Sequence, residues 1–262
     1  MERALRTGAM GMNAQQTRVE LIANNLANVN TTAFKKGRAE FQDLMYQNIK
    51  VAGTQQERNV EIPTEVQLGS GVRLVATTKN FYQGDLLPTN SQLDLAINGD
   101  GFFQIKRTDG TLAYTRDGSF KLSRDGKIVT SDGYYLEPDI TIPEDAVAIN
   151  VSKDGIVEAV LPDQTEPLTI GQIDLVKFIN PTGLKNIGNN LYLATPSSGI
   201  PINGVPGSEG FGEIMQSYLE SSNVDIVEEM VNMISAQRAY EINSRTIRTA
   251  DDMESTVVNI AR

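Results

Sequence analysis

Apolar positions recur every seven residues at the start of the chain, at Leu5, Met12, Val19 and Leu26, with Gly8, Gln15, Ile22 and Val29 three residues behind each. This is the spacing of a heptad seam and predicts an amphipathic helix. It should stop near Asn28, where Asn24, Asn25, Asn28, Asn30, Thr31 and Thr32 offer side chains that compete for backbone hydrogen bonds. The other end of the chain repeats the device. Ile226, Met230, Met233, Gln237, Tyr240, Ser244, Ile247, Ala250, Met253, Val257 and Ile260 step by three or four and predict a second long helix. Asp225 is placed to cap it, with Glu228 three residues on as its capping-box partner. Gly8, Gln15, Gln237 and Ser244 stand where a stable coiled coil carries aliphatic side chains. The pair is therefore expected to be marginal alone and to become ordered when copies of the chain pack side by side.

Between the helices the period changes. Phe41, Leu44, Met45 and Tyr46 form a short apolar patch that predicts one or two helical turns, and residues 47–65 carry no period and read as a loop. Further on, Val72, Leu74 and Ala76 alternate with Arg73, Val75 and Thr77, and residues 94–97 and 102–105 read as strands. Asp-Gly then recurs at 109–110, 117–118, 125–126, 132–133 and 154–155, with short apolar runs between. Because Asp-Gly suits the positive φ of tight turns, this predicts a meander of antiparallel strands. Pro138, Pro143, Pro162 and Pro167 mark strand ends or edges, Ile156–Val160 and residues 172–178 are further strands, and a Gly/Pro/Ser-rich stretch over 195–212 leads to the last helix. The fold class is α+β: two terminal helices forming a coiled-coil-like inner domain, an extended connector, and a mainly antiparallel central β domain.

Composition narrows the chemistry. The 262 residues carry a formal net charge of -10, which argues against nucleic acid or an anionic membrane surface as the main partner. There is no Cys and no His, which removes thiol nucleophiles, disulfides, typical zinc and iron sites and every Ser–His arrangement. No cofactor is expected. The first residues hold no apolar run that could form a signal-peptide core, and no stretch is long enough to span a bilayer, so direct membrane insertion is not expected. Three bland features could imitate chemistry. The Asp-Gly series lacks the alternating acids and closing Glu of a calcium loop. Asp94, Asp100 and Glu137 could supply paired carboxylates for sugar hydrolysis, but 33 acidic residues make chance pairs common and no Trp is present to stack a sugar. The Asn-Gly-Asp-Gly of 98–101 leads into a strand, so it is a poor nucleotide loop. A calcium- or carbohydrate-binding β-protein remains the rival reading from another class.

Three blocks resemble one family. ANNLANVNTTAFKK at 23–36, DLAINGDGFFQI at 94–105 with AYTRDGSF at 113–120, and SNVDIVEEMVNMISAQRAYEINSRTI at 222–247 are similar, in that order, to the axial proteins of the bacterial flagellum, its rod and hook. FINPTGLKNIGNNLYLATPSSG at 178–199, and a segment over 46–65 that hook members typically lack, make the likeness strongest to distal-rod members, with a proximal rod or hook protein as the alternative within the family. The resemblance implies a structural protein and not an enzyme. Residues 1–33 and 209–262 would form the inner layer of a helical tube, 34–80 a connector with the rod-type insertion at 46–65, and 81–208 the outer β domain. It implies self-assembly through Leu5, Met12, Val19, Ile22, Leu26, Val29, Ile226, Met230, Met233, Tyr240, Ile247, Met253, Val257 and Ile260. The family motif maps onto Asn24, Asn25, Leu26, Asn28, Thr31, Phe34 and Lys35. Implied partners are other copies of the chain, proximal rod proteins, the hook protein, the outer-membrane and peptidoglycan ring proteins, and flagellar subunits in transit through the channel. The implied place is the rod of the basal body, spanning the periplasm and reached by export without a cleaved signal. One departure stands out: the family commonly has Gly before the motif Phe, and here the residue is Ala33. Since Ala disfavours a left-handed backbone, the turn is expected either not to be left-handed or to leave the helix at another angle.

Overall fold

The structure, a computed structural model, describes residues 2–50, 55–56, 60–61, 65–162 and 167–260. They fall into two compact units, neither of them a single run of sequence. The first takes the chain up to Ala27, Gly37–Thr78 and everything from Asp225, and the second takes Asn28–Lys36 and Lys79–Val224.

The first unit is built on two helices, α1 over Glu2–Ala27 and α2 over Ile226–Ile260. They run antiparallel, since Gly8 lies against Ile247 while Asn25 meets Glu229. Asp225 caps α2 as expected, its Oδ1 accepting from the N–H groups of Val227 (2.8 Å) and Glu228 (3.1 Å). The stripe predicted on α2 is displaced. Its steps average about 3.4 residues against the 3.6 of a helical turn, so it slides around the helix by roughly 20° per step. Glu229, Ala236 and Ala250 are the buried residues of α2. With half-buried Asn243 they form the strict heptad line that meets α1, and Ile226, Met230, Tyr240, Met253, Val257 and Ile260 stay exposed. The supposed gap at Gly8 is closed as well: a Cβ there would stand 2.8 Å from Ile247 Cγ1. The glycine lets the helices approach, and the isoleucine fills the space.

Two expectations for the segment after α1 are overturned. Phe41, Leu44, Met45 and Tyr46 do not continue a helix. Gly37–Asp43 is a strand paired with Val72–Lys79, and Tyr46–Lys50 pairs antiparallel with Val66–Gly69, Tyr46 opposite Gly69. Part of the expected 47–65 loop is thus a ribbon, and Gln55–Gln56 pairs with Val60–Glu61; residues 51–54, 57–59 and 62–64 of that segment lie outside those described. The pairing of long-range partners, invisible to a local window, selects strand over helix. The alternation at 72–77 yields no buried face, because the strand belongs to a two-stranded sheet and both Leu74 and Val75 remain exposed.

The second unit is mainly antiparallel β. Its largest sheet runs Lys121–Leu122, Ile128–Val129, Tyr135–Glu137, Phe102–Lys106, Leu112–Thr115, Leu191–Leu193, Lys185–Gly188, with Leu175–Lys177 joining Phe102–Lys106 to Ile202–Gly204. A three-stranded sheet follows over Ala148–Val151, Ile156–Val160 and Leu168–Gln172. Period-two alternation divides the interior: Phe103 and Ile105 enter a core with Leu95, Ile97, Val157, Leu175 and Ile214, while Phe102 joins Tyr114, Val176, Phe178 and Tyr192. Tyr114 meets Phe178 edge to face at 4.8 Å. Of the five Asp-Gly pairs that follow residue 105, four turn through a positive-φ glycine, at Gly110, Gly126, Gly133 and Gly155. Gly118 is the exception, because it is needed for lack of bulk: a Cβ there would sit 1.6 Å from the Leu95 carbonyl oxygen.

Candidate functional site

The stretch Thr31–Lys36 follows α1 and enters a buried polar network of the second unit. Thr31 donates its hydroxyl to Asn28 Oδ1 at 3.1 Å and its N–H to the Asn28 carbonyl, closing the turn. Ala33 then adopts φ 54 and is buried, its N–H donating to the Glu220 carbonyl at 2.8 Å. The turn is therefore left-handed despite the alanine, at a cost of roughly 1–2 kcal/mol. The surrounding hydrogen bonds hold it there: Asn223 donates its N–H to the Phe34 carbonyl at 3.3 Å, and its Oδ1 accepts from Lys36 N–H at 2.8 Å.

The left-handed turn delivers Lys35 into the interior, where its side chain is 0% exposed. Its ammonium donates to Glu220 Oε1 at 2.5 Å and to the Tyr82 carbonyl at 2.7 Å. Arg116 closes the other side, its Nε donating to Glu220 Oε2 at 2.9 Å and its Nη atoms to the Gly99 and Gly101 carbonyls at 2.8–2.9 Å. Gly84 N–H donates to Glu220 Oε1 at 3.0 Å. One carboxylate thus gathers four pieces of sequence: 33–35, 82–84, 99–116 and the strand Tyr218–Glu220. Burial pushes the Glu220 carboxyl upward, but Arg116 and then Lys35 overcome it and hold it below the ordinary value. Lys35 is lowered by burial, with Glu220 opposing the shift. Beside them the Tyr192 hydroxyl is pushed up to about 12, first by burial and then by the charge of Glu220. A buried charged group with every partner in place fixes a geometry more than it adds stability. The clasp can position backbone, and it offers no nucleophile and no open coordination position.

In the first unit, Asn25 does related work. Its Oδ1 accepts from Gly37 N–H at 2.9 Å, and its Nδ2 donates to the Gly37 carbonyl at 3.0 Å and to Glu229 Oε2 at 3.2 Å. One amide therefore ties α1 to the first strand and to α2. Asn25, Phe34 and Lys35 of the predicted motif are buried; Leu26, Asn28 and Thr31 are half-buried, and Asn24 is exposed. Of the predicted seam, Ile22 is buried, and Leu5, Met12, Val19, Val29, Met233 and Ile247 are half-buried. Glu220, Glu229 and Arg116 escaped the sequence reading. Arg116 lies within AYTRDGSF at 113–120, yet nothing in Tyr-Leu-Glu at 218–220 marks that Glu as buried. The candidate carboxylates Asp94, Asp100 and Glu137 form no joint site in the hydrogen-bond pattern: Asp100 pairs with Lys177 at 2.9 Å and Glu137 with Lys106 at 4.0 Å.

The opposite face of α2 is the second notable surface. Val227, Val231 and Ile234 fall, at 100° per residue, across the helix from the line that meets α1, with Ile242 on its flank, and Val227 is 70% and Ile242 63% exposed. All residues from Asp251 to Ile260 are exposed too, Met253 and Val257 among them. No helix among the described residues is long and apolar enough to cross a membrane.

Comparison with known proteins places these features in a family. Three family profiles match in order: Flagella basal body rod protein over residues 5–35, Flagellar hook protein FlgE/F/G D1 domain over 96–159, and Flagellar basal body rod FlgEFG protein C-terminal over 215–260. The flagellar basal-body rod protein FlgG of Borreliella burgdorferi is 52% identical over 264 residues, covering 100% of both chains. That of Buchnera aphidicola subsp. Schizaphis graminum is 50% identical over 93% of this chain and 94% of its own. The flagellar hook protein FlgE of Helicobacter mustelae is 33% identical over 85% of this chain but only 48% of its own length. With full-length identity to rod proteins at this level, the chain belongs to the FlgG family of flagellar basal-body rod proteins.

Proposed function

We propose that this protein is a structural subunit of the distal flagellar rod, polymerising through its terminal helices into a rigid helical tube that carries torque from motor to hook and encloses the export channel. The observation that carries the assembly step is the bare apolar side of α2. Val227, Val231 and Ile234 face away from α1, and contiguous exposed apolar surface of this kind marks an interaction site. Covering each such side chain contributes about 1.5–3 kcal/mol. A surface that binds a different surface on the next copy gives a helical polymer when its rotation does not close a ring. On this reading the predicted seam is shared: Ile22 and Ile247 serve the α1–α2 pair, while Ile226, Met230, Tyr240, Met253, Val257 and Ile260 serve neighbouring copies. Residues 1–33 and 209–262 line the inside of the tube, 34–80 connect, and 81–208 form its outer layer. The segment 46–65 bridges neighbours and resists bending. Proximal rod proteins, the hook protein, the ring proteins and subunits in transit are the remaining partners, and the rod spans the periplasm after export without a cleaved signal. The role is mechanical and not catalytic.

Electron microscopy of the purified protein tests this. The full chain should form straight tubes, and a chain lacking residues 2–27 and 226–260 should form none; ordered tubes from the trimmed chain would overturn the proposal. Removing 47–64 should leave tubes that bend, and an unchanged bending stiffness would remove the bridging role of that segment.

A further inference from the structure

We propose that a cavity in the second unit is the seat of an acidic side chain supplied by a second copy of this chain. The inference rests on the polymer reading above. The cavity, about 420 Å³ and open to solvent, is lined by Lys79, Phe81, Tyr82, Gly99, Arg116 and Thr182, among others.

Its electrostatics run against those of the whole chain. The buried clasp behind it holds two cations, Lys35 and Arg116, against the single carboxylate of Glu220. Lys79 adds a third positive charge. Its ammonium donates to the Lys35 carbonyl at 2.9 Å and lies 4.3 Å from the centre of the Phe34 ring, with no carboxylate in ion-pair reach among the described residues. Burial lowers the Lys79 pKa, the expected response of a cation that has lost water and gained no counter-charge. The acid on the cavity wall, Asp100, is already engaged by Lys177 at 2.9 Å. A positive cavity therefore sits in a chain whose net charge is -10.

The donors define the guest. The guanidinium of Arg116 is occupied by Glu220 and by the Gly99 and Gly101 carbonyls, so it supplies field more than contact. Lys79 is different, since an ammonium has three donors and the Lys35 carbonyl takes one. A carboxylate entering beside Phe81 and the largely exposed Tyr82 would complete the Lys79 shell and offset the surplus charge. The chain itself offers such groups: Glu144, Asp145 and Glu209 are exposed and make no ion pair among the described residues. In a polymer each copy is held beside its neighbours at high effective concentration, which favours a tethered carboxylate over a free anion.

Zero-length carbodiimide cross-linking of tubes grown from equal parts of ordinary and nitrogen-15-labelled full chain tests the assignment. Mass spectrometry should find Lys79 joined by an amide to an Asp or Glu of the other isotope in tubes and not in monomer. Lys79→Met should raise the critical concentration for assembly about tenfold, and Lys79→Arg should restore it. Tubes in which other lysines cross-link between copies while Lys79 does not would overturn the inference and leave the polymer reading intact. So would protection of monomeric Lys79 from acetylation by acetate ion, which would make the guest a free anion. Failure to form any tube would sink the polymer reading and this inference with it.

Discussion

Removing the carboxylate from the buried clasp should cost far more than removing either cation's share of it, and Glu220→Gln against Lys35→Met makes the comparison. Glutamine keeps the shape of Glu220 but leaves Lys35 and Arg116, both buried, with no counter-charge. Breaking a buried pair in this way costs about 3–5 kcal/mol. Lys35→Met leaves Glu220 still held by Arg116 at 2.9 Å and by Gly84 N–H at 3.0 Å. The Tyr82 carbonyl keeps a donor as well, from Asn223 Nδ2 at 3.0 Å. With volume nearly conserved, that variant should lose less than about 1.5 kcal/mol. Urea unfolding followed by the near-ultraviolet circular dichroism of the tyrosines, the chain having no Trp, gives both values. The pH dependence supplies an independent limb. Glu220 is held below its ordinary 4.5, so as pH falls below that value the unfolded chain takes up a proton before the folded one does. The wild type should therefore lose this share of its stability as pH falls from about 4.5 through the lower folded value, and Glu220→Gln should lack that loss. Equal costs for the two variants, or a loss below about 1 kcal/mol for Glu220→Gln, would refute the reasoning.

Two further perturbations address the helices. Gly8→Leu, a gain by heptad rules, should instead destabilise the pair by about 1–3 kcal/mol because its side chain meets Ile247, and Ile247→Ala in the same chain should recover most of the loss in thermal melts. Asn25→Ala should cost about 1–3 kcal/mol in the same measurement, since it leaves buried Glu229 and the Gly37 N–H without the amide that serves both. An unchanged melting temperature in either single variant would count against the packing described.

Both helices and the antiparallel β unit were legible in the sequence because their signals are local. Seven-residue spacing placed α1, Asp225 placed the start of α2, and Asp-Gly placed four of the turns. What failed was any property set by distant partners. Phe41–Tyr46 looked helical until residues 66–79 paired with that stretch. The apolar residues of α2 outnumber those that one partner helix can cover, so only part of the stripe they trace, Ile247 and Ala250 included, meets α1. Ala disfavours a left-handed turn, yet the hydrogen bonds from Ala33 N–H to the Glu220 carbonyl and from Asn223 N–H to the Phe34 carbonyl outweigh its preference. Glu220 itself lies 185 residues from Lys35, and no window of sequence can show that the two meet.

That separation has a consequence for how the chain is made. The ribosome releases α1 and Lys35 first, and both must wait for the final fifth of the polypeptide: α2 to cover the one, Glu220 to neutralise the other. A chain terminated before Tyr218 can complete neither unit, having lost the last element of each. Order of emergence thereby makes completeness a condition of folding, because only a chain released to its far end can close both units.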